Sequence, residues 1–289
     1  MSAETTAPLL LLLTLPFMQR ALLAGLLSGA LGGLLGSVAV LRQLSFFSDA
    51  LGHAALLGIT LGVLLGLDPT LVLVPFAVLF ALLVNLMVER SRLSADALLN
   101  IVYSSSLAIA VLVLSRFPRA GGGLQQLLFG DILGVSWRDL ALMAAMLVVA
   151  VIGLVLNRRA QILLCVDEPL ARSRGIGADR QRLFFIVALA VVVALSIKAV
   201  GVLLISAFVV IPASAARLLA RSFTSYQLLA SGLGAAGAVI GLLASAAFNL
   251  PSGPAVVLVQ LLGFLLALLL SACGWSGAGA RAGWPDPGG

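Results

Sequence analysis

Apolar residues run along this chain in long blocks, separated by short polar or Gly- and Pro-bearing breaks. A membrane-crossing helix needs about 20 predominantly apolar residues. Nine stretches meet or approach that requirement: 20–41, 49–67, 70–88, 97–115, 138–156, 183–197, 199–216, 225–247 and 254–272. The segment 183–197 is short, and 199–216 contains Pro212. The expected fold class is an all-α polytopic membrane protein with about eight spans, between seven and nine. Residues 1–19, with Pro16 breaking the apolar run, read as an N-terminal lead-in to a membrane domain over 20–272. The Gly- and Pro-rich tail, 273–289, is expected to be disordered. Met1 to Pro8 carry no positive charge ahead of Leu9–Leu15, so a cleaved signal peptide is not expected.

Helix association in lipid lacks a hydrophobic drive and relies on small residues that let backbones approach. Gly25, Gly29 and Gly33 recur every four residues on the first stretch, and Ala50, Ala54, Gly58, Gly62 and Gly66 on the second. Both ladders read as packing faces, within one chain or between two copies.

Composition supports the membrane reading. Hydrophobic types make up 62% of the 289 residues and charged types 10%, against about 25% charged in soluble domains. An ordinary soluble enzyme, a disordered chain and a disulfide scaffold are excluded. The net charge of +6 arises from 17 basic and 11 acidic residues. In a membrane protein such an excess belongs to cytoplasmic loops, so no nucleic-acid partner is inferred. With 157–182 taken as cytoplasmic, nine crossings place twelve basic residues inside and five outside.

The rare residues exclude more. Lys198, between Ile197 and Ala199, is the only lysine. A P-loop needs G-x-x-x-x-G-K-[ST], so any ATP must be bound by another chain. Cys165 and Cys273 form no CxxC, which removes a four-cysteine zinc site. The single histidine, His53, removes H-E-x-x-H.

Ionisable residues inside spans are costly and are functional candidates by default. Asp49 and His53 stand at i and i+4 in Ser48-Asp-Ala-Leu-Gly-His53, on one helical face. A carboxylate oxygen and a neutral imidazole suit a divalent transition metal, zinc or manganese. Two ligands are too few to trap an ion, which suits a site that must release it. Two other readings stay open. Asp49 could cap the second helix with His53 in a structural hydrogen bond, or the pair could relay protons. Asn85 and Asn100 read as interhelical glue.

The longest polar stretch is 157–182. Asp167 and Glu168 lead a segment that begins at Pro169 and ends at Gly175, which fits a short helix. Acid at its start and Arg172 and Arg174 near its end suit the helix dipole. Such a helix suits docking of a cytoplasmic partner, and a solvated connector fits equally well.

Several stretches together resemble the permease subunits of bacterial ABC importers for zinc and manganese. They are Phe17-Met-Gln-Arg-Ala-Leu-Leu-Ala-Gly25, Ser48-Asp-Ala-Leu-Gly-His-Ala-Ala-Leu-Leu-Gly58, Leu128-Phe-Gly-Asp-Ile-Leu-Gly134, Asp167 to Ile176, Val200-Gly-Val-Leu-Leu-Ile-Ser206 with Ile211-Pro-Ala213, and Pro251-Ser-Gly-Pro254. They occur in the family's order over roughly residues 17–270. The resemblance implies a permease fold like that of the vitamin B12 importer and a pathway formed with a second permease copy, in a homodimer. It implies a cytoplasmic ABC ATPase dimer and an extracytoplasmic metal-binding protein as further partners. It assigns metal to Asp49 and His53, with Zn2+ as the cargo, Mn2+ as the alternative and no permanently bound cofactor. It places a coupling helix at Asp167, Glu168, Arg172, Arg174 and Gly175, and a pathway turn at Asn249, Pro251 and Gly253. Two positions depart from the pattern: Asn249 stands where the family often has Asp, and Gly52 where it often has Ser. The Leu128–Gly134 stretch leans toward zinc-type members.

The expected function is therefore the inner-membrane permease of an ATP-driven divalent-metal importer, zinc first. A manganese- or iron-specific importer of the same family and a proton-coupled secondary transporter are the alternatives.

Overall fold

The computed structural model describes residues 14–64, 66–67, 69–91, 93–116, 130 and 132–275. Among these the chain is helical throughout, without strands. The helices are α1 (Pro16–Leu41), α2 (Phe47–Leu64), α3 (Pro69–Arg90), α4 (Ala95–Arg116), α5 (Trp137–Leu156), α6 (Arg158–Val166), α7 (Glu168–Ser173), α8 (Ala178–Val200), α9 (Val202–Leu219), α10 (Phe223–Phe248) and α11 (Ser252–Leu270). Over the described residues, eight are long and apolar enough to cross a membrane: α1, α3, α4, α5 and α8 to α11.

The structure differs from the sequence pattern in three places. Stretch 183–197 is part of a longer helix. α8 begins at Ala178, because its polar first turn is tied to α7 by ion pairs from Asp179 and Arg182 and so continues the helix beyond the apolar run. Pro212 does not divide α9, which runs through it. The break falls instead at Gly201, where φ 86 and ψ 160 give a backbone that only glycine adopts readily. Third, α1 starts at Pro16, whose fixed φ suits the first helical turn. The tail from residue 276 lies outside the described residues.

Helix α1 is the most enclosed of the spans. Gly29 meets the backbone of Gly234 and Gly33 that of Ala230, so α1 and α10 pack antiparallel, backbone on backbone. A Cβ at either glycine would strike a carbonyl oxygen. The first small-residue ladder is therefore an intrachain contact. On another side, Gly32 and Gly36 lie against Phe208 and Val209 of α9. The second ladder holds α2 in place. Ala50 and Ala54 are buried, Gly58 packs on the Phe76 ring, and Phe47 meets Phe80 edge-on at 5.8 Å. α2 packs against α3, α4, α8 and α9 and makes no comparable contact with α10 or α11.

The outward faces differ. α3 exposes Leu79, Leu82, Leu83 and Leu86, and α11 exposes Leu258, Leu262, Leu265 and Leu269. These leucine faces suit lipid. α4 instead exposes Asn100, Ser104 and Ser105 among its apolar residues.

Candidate functional site

Asp49 lies in the first turn of α2 rather than ahead of it, so it is not the helix N-cap. The acid suits the positive end of the helix dipole. His53 follows one turn later. Its Nε2 stands 3.7 Å from Asp49 Oδ1. That is too long for a hydrogen bond, yet within the roughly 4.3 Å that two donors can span across one zinc ion. The side chains are 17% exposed for His53 and 35% for Asp49, so the pair is sheltered but open on one side. The Tyr103 ring of α4 meets the imidazole edge-on, with centroids 4.8 Å apart and planes at 89°, and fixes its orientation. His53 Nδ1 is buried without a protein hydrogen-bond partner. No group of three or more His, Cys, Asp or Glu occurs among the described residues. Any further ligand would come from water, another helix or a second chain.

Tyr103 places α4 beside the pair, and the exposed Asn100 and Ser104 lie on the same helix within one turn of it. Unpaired polar groups facing hydrocarbon are costly, so this face suits water or a protein partner. Asn100 is therefore not buried glue between helices. Nor is Asn85, whose Nδ2 donates to Glu89 Oε1 of its own helix at 2.7 Å. The sequence signal for the α4 face was the spacing of Asn100 and Ser104 alone.

The turn after α10 is built locally. Asn249 takes the left-handed conformation, φ 53 and ψ 42, which asparagine tolerates better than most residues. Leu250 N–H donates to Ser245 O, and Ser245 Oγ donates to Leu250 O. Pro251 is the N-cap of α11, and Gly253 is buried in its first turn. Neither flanking helix, α10 nor α11, packs against α2 as α3, α4, α8 and α9 do.

The stretch 157–182 folds as α6, α7 and the start of α8. Asp167 caps α7, accepting from Leu170 N–H at 2.9 Å. Glu168 accepts from Arg172 at 2.8 Å and from Arg182 of α8 at 2.7 Å. Arg172 also donates to Asp179 of α8 at 2.8 Å. Arg174 is the C-cap residue, and Gly175 follows with φ 78. Burial pushes the Glu168 carboxyl up, but the hydrogen bonds and charges of Arg172 and Arg182 outweigh it and hold it below its ordinary value. Outside this clamp, Val166, Pro169 and Leu170 are exposed together, an apolar tip with arginines around it.

A helical membrane bundle with an open two-donor pair and no nucleotide loop describes a transport subunit. Residues 14–271 match the family described as "ABC 3 transport family", and the chain belongs to that family. It is 31% identical over 256 residues to the manganese transport system membrane protein MntC of Listeria monocytogenes, covering 88% of this chain and 91% of the relative. It is 30% identical over 251 residues to the high-affinity zinc uptake system membrane protein ZnuB of Haemophilus influenzae, covering 86% and 95%. Among solved structures, PsaBC from Streptococcus pneumoniae in complex with Fab matches with a TM-score of 0.78 at 29% identity, over 93% of this chain and 95% of that one. The protein is a multi-pass subunit of a bacterial cell-membrane ABC transporter for metal ions.

Proposed function

We propose that this permease imports zinc, with Asp49 and His53 as the chain's own ligands in the pathway. The open pair, 3.7 Å apart on a buried helix, carries the reading. A cytoplasmic ATPase dimer seats the α7 tip, and an extracytoplasmic metal-binding protein delivers the ion. A second copy of the permease closes the pathway across the polar face of α4. The turn at Asn249, Pro251 and Gly253 shapes the outer mouth without adding a charge. ATP binding moves α7, and the spans alternate access around the pair. Manganese is the second reading, favoured by the manganese systems among the relatives and by the oxygen donors of Asn100 and Ser104 near the pair.

The test is uptake by the reconstituted complex of permease, ATPase and binding protein, with zinc and manganese in direct competition. Zinc should be taken up in preference, with a dependence on ATP. Preferential manganese uptake would overturn the zinc assignment. Uptake by the permease alone under a proton gradient would overturn the ATP-driven reading.

A further inference from the structure

Arg42 stands where α1 ends, outside the membrane-spanning run. Its Nη2 donates to Gln161 Oε1 on α6 at 2.6 Å. Its guanidinium carbon lies 5.2 Å from the ring centroid of Phe185 on α8. Among the described residues no carboxylate lies within ion-pair distance of Arg42. Glu168 lines the same cavity of about 300 Å³ but is held by Arg172 and Arg182. Gln161 is only 3% exposed, so its oxygen depends on Arg42 for a donor.

A largely buried cation held by neutral groups is a poor source of stability. Its position makes a connection instead. α7 is tied to α8 through Glu168–Arg182 and Arg172–Asp179. Arg42 grips α6 at Gln161 and α8 at Phe185. On its other side begins a tight turn into α2. Gln43 has φ 56, Leu44 N–H donates to Ala39 O at 2.8 Å, and Phe47 N–H donates to Leu44 O at 3.0 Å. Asp49 follows in the first turn of α2.

We propose that Arg42 is a positioning residue that carries movement of the α6–α8 unit through the turn at 43–46 into α2, and so sets the placement of Asp49 and His53. This rests on the proposed coupling role of α7. The route is short: α7 to α8 by two ion pairs, α8 and α6 to Arg42, and seven residues on to Asp49.

The test uses the whole complex in liposomes and reads metal moved per ATP hydrolysed, together with melting temperature. Arg42→Met with Gln161→Met removes both polar partners at once and leaves no orphan group, a change that tends to be nearly neutral for folding. Its expected result is an assembled complex with an unchanged melting temperature, continued hydrolysis, and about two- to thirty-fold less metal per ATP. Arg42→Lys, which keeps a charge and a donor, should recover part of that loss. A double variant with the wild-type ratio would overturn the inference. If the double variant does not assemble, Arg42→Lys decides: an assembled complex with a normal ratio overturns the inference, and one with a reduced ratio supports it. A wild-type complex that moves neither zinc nor manganese would defeat the proposed function instead.

Discussion

Two helices of this chain begin alike. α2 carries Asp49 in its first turn with His53 four residues on, and α7 carries Glu168 in its first turn with Arg172 four residues on. In α7 the pair closes at 2.8 Å, and each member has a second partner on α8. In α2 the pair stands 3.7 Å apart, and His53 Nδ1 has no protein partner. The same spacing thus gives a saturated clamp in one place and an open pair in the other. Surroundings decide the difference. α7 is exposed, where charges are already solvated and gather partners at little cost. α2 lies inside an apolar bundle, where under-coordinated ionisable groups are costly, and the proposed ion route would account for their cost.

The strongest way to break this contrast is to remove the open pair. Asp49→Ala or His53→Ala should leave the complex assembled, since neither side chain holds another element by a hydrogen bond. Metal uptake should fall by more than about a hundredfold, because even outer-shell partners of a metal cost about ten- to a hundred-fold. Uptake of zinc and manganese in proteoliposomes measures it. Normal uptake of both ions in both variants would sink the site.

A smaller effect is expected from reversing the closed pair. Glu168→Arg places a third positive group beside Arg172 and Arg182 and releases α7 from α8. ATP hydrolysis should persist while metal moved per ATP falls by about two- to thirty-fold. Gly175→Pro should act in the same direction, because φ 78 is closed to proline. Unchanged coupling in both variants would reduce the clamp to a solvated connector.

Much of the contrast was legible in the sequence because it rests on local spacing. The i, i+4 pair at Asp49 and His53 and the acid-led segment at 167–175 are short-range patterns. So are Gly25, Gly29 and Gly33, although only the structure shows that their partners are Leu242, Gly234 and Ala230. The start of α8 was hidden because Asp179 to Arg182 look like loop residues until their partners on α7 are placed. The exposure of Asn100 leaves no sequence trace, because a polar residue in a span reads the same whether it faces a neighbouring helix or lies open on the chain's surface. Arg42 was counted only as a cytoplasmic charge, since its contacts with Gln161 and Phe185 span more than a hundred residues and leave no periodic trace.

The smallest effect expected is a pH threshold that belongs to α7 alone. Glu168 is held below its ordinary value of 4.5, with the pull of Arg172 and Arg182 exceeding the opposing push of burial. A carboxyl lowered in the folded state contributes its full stabilisation above its unfolded value and loses it as pH falls through the folded one. The clamp should therefore hold from neutral pH down to about 4.5 and loosen only below it. Hydrogen exchange at the Arg174 and Ile176 amides, which bond to Leu170 O and Ala171 O across α7, reads this directly after correction for intrinsic rates. Arg182→Gln removes one source of the lowering, so its threshold should move up toward the ordinary value. Asp179→Asn leaves both arginines on Glu168 and should move the threshold far less. Loosening that begins well above pH 4.5 in the unmodified protein would show that the arginines do not hold this carboxylate. The two acid-and-base pairs would then differ in distance but not in saturation.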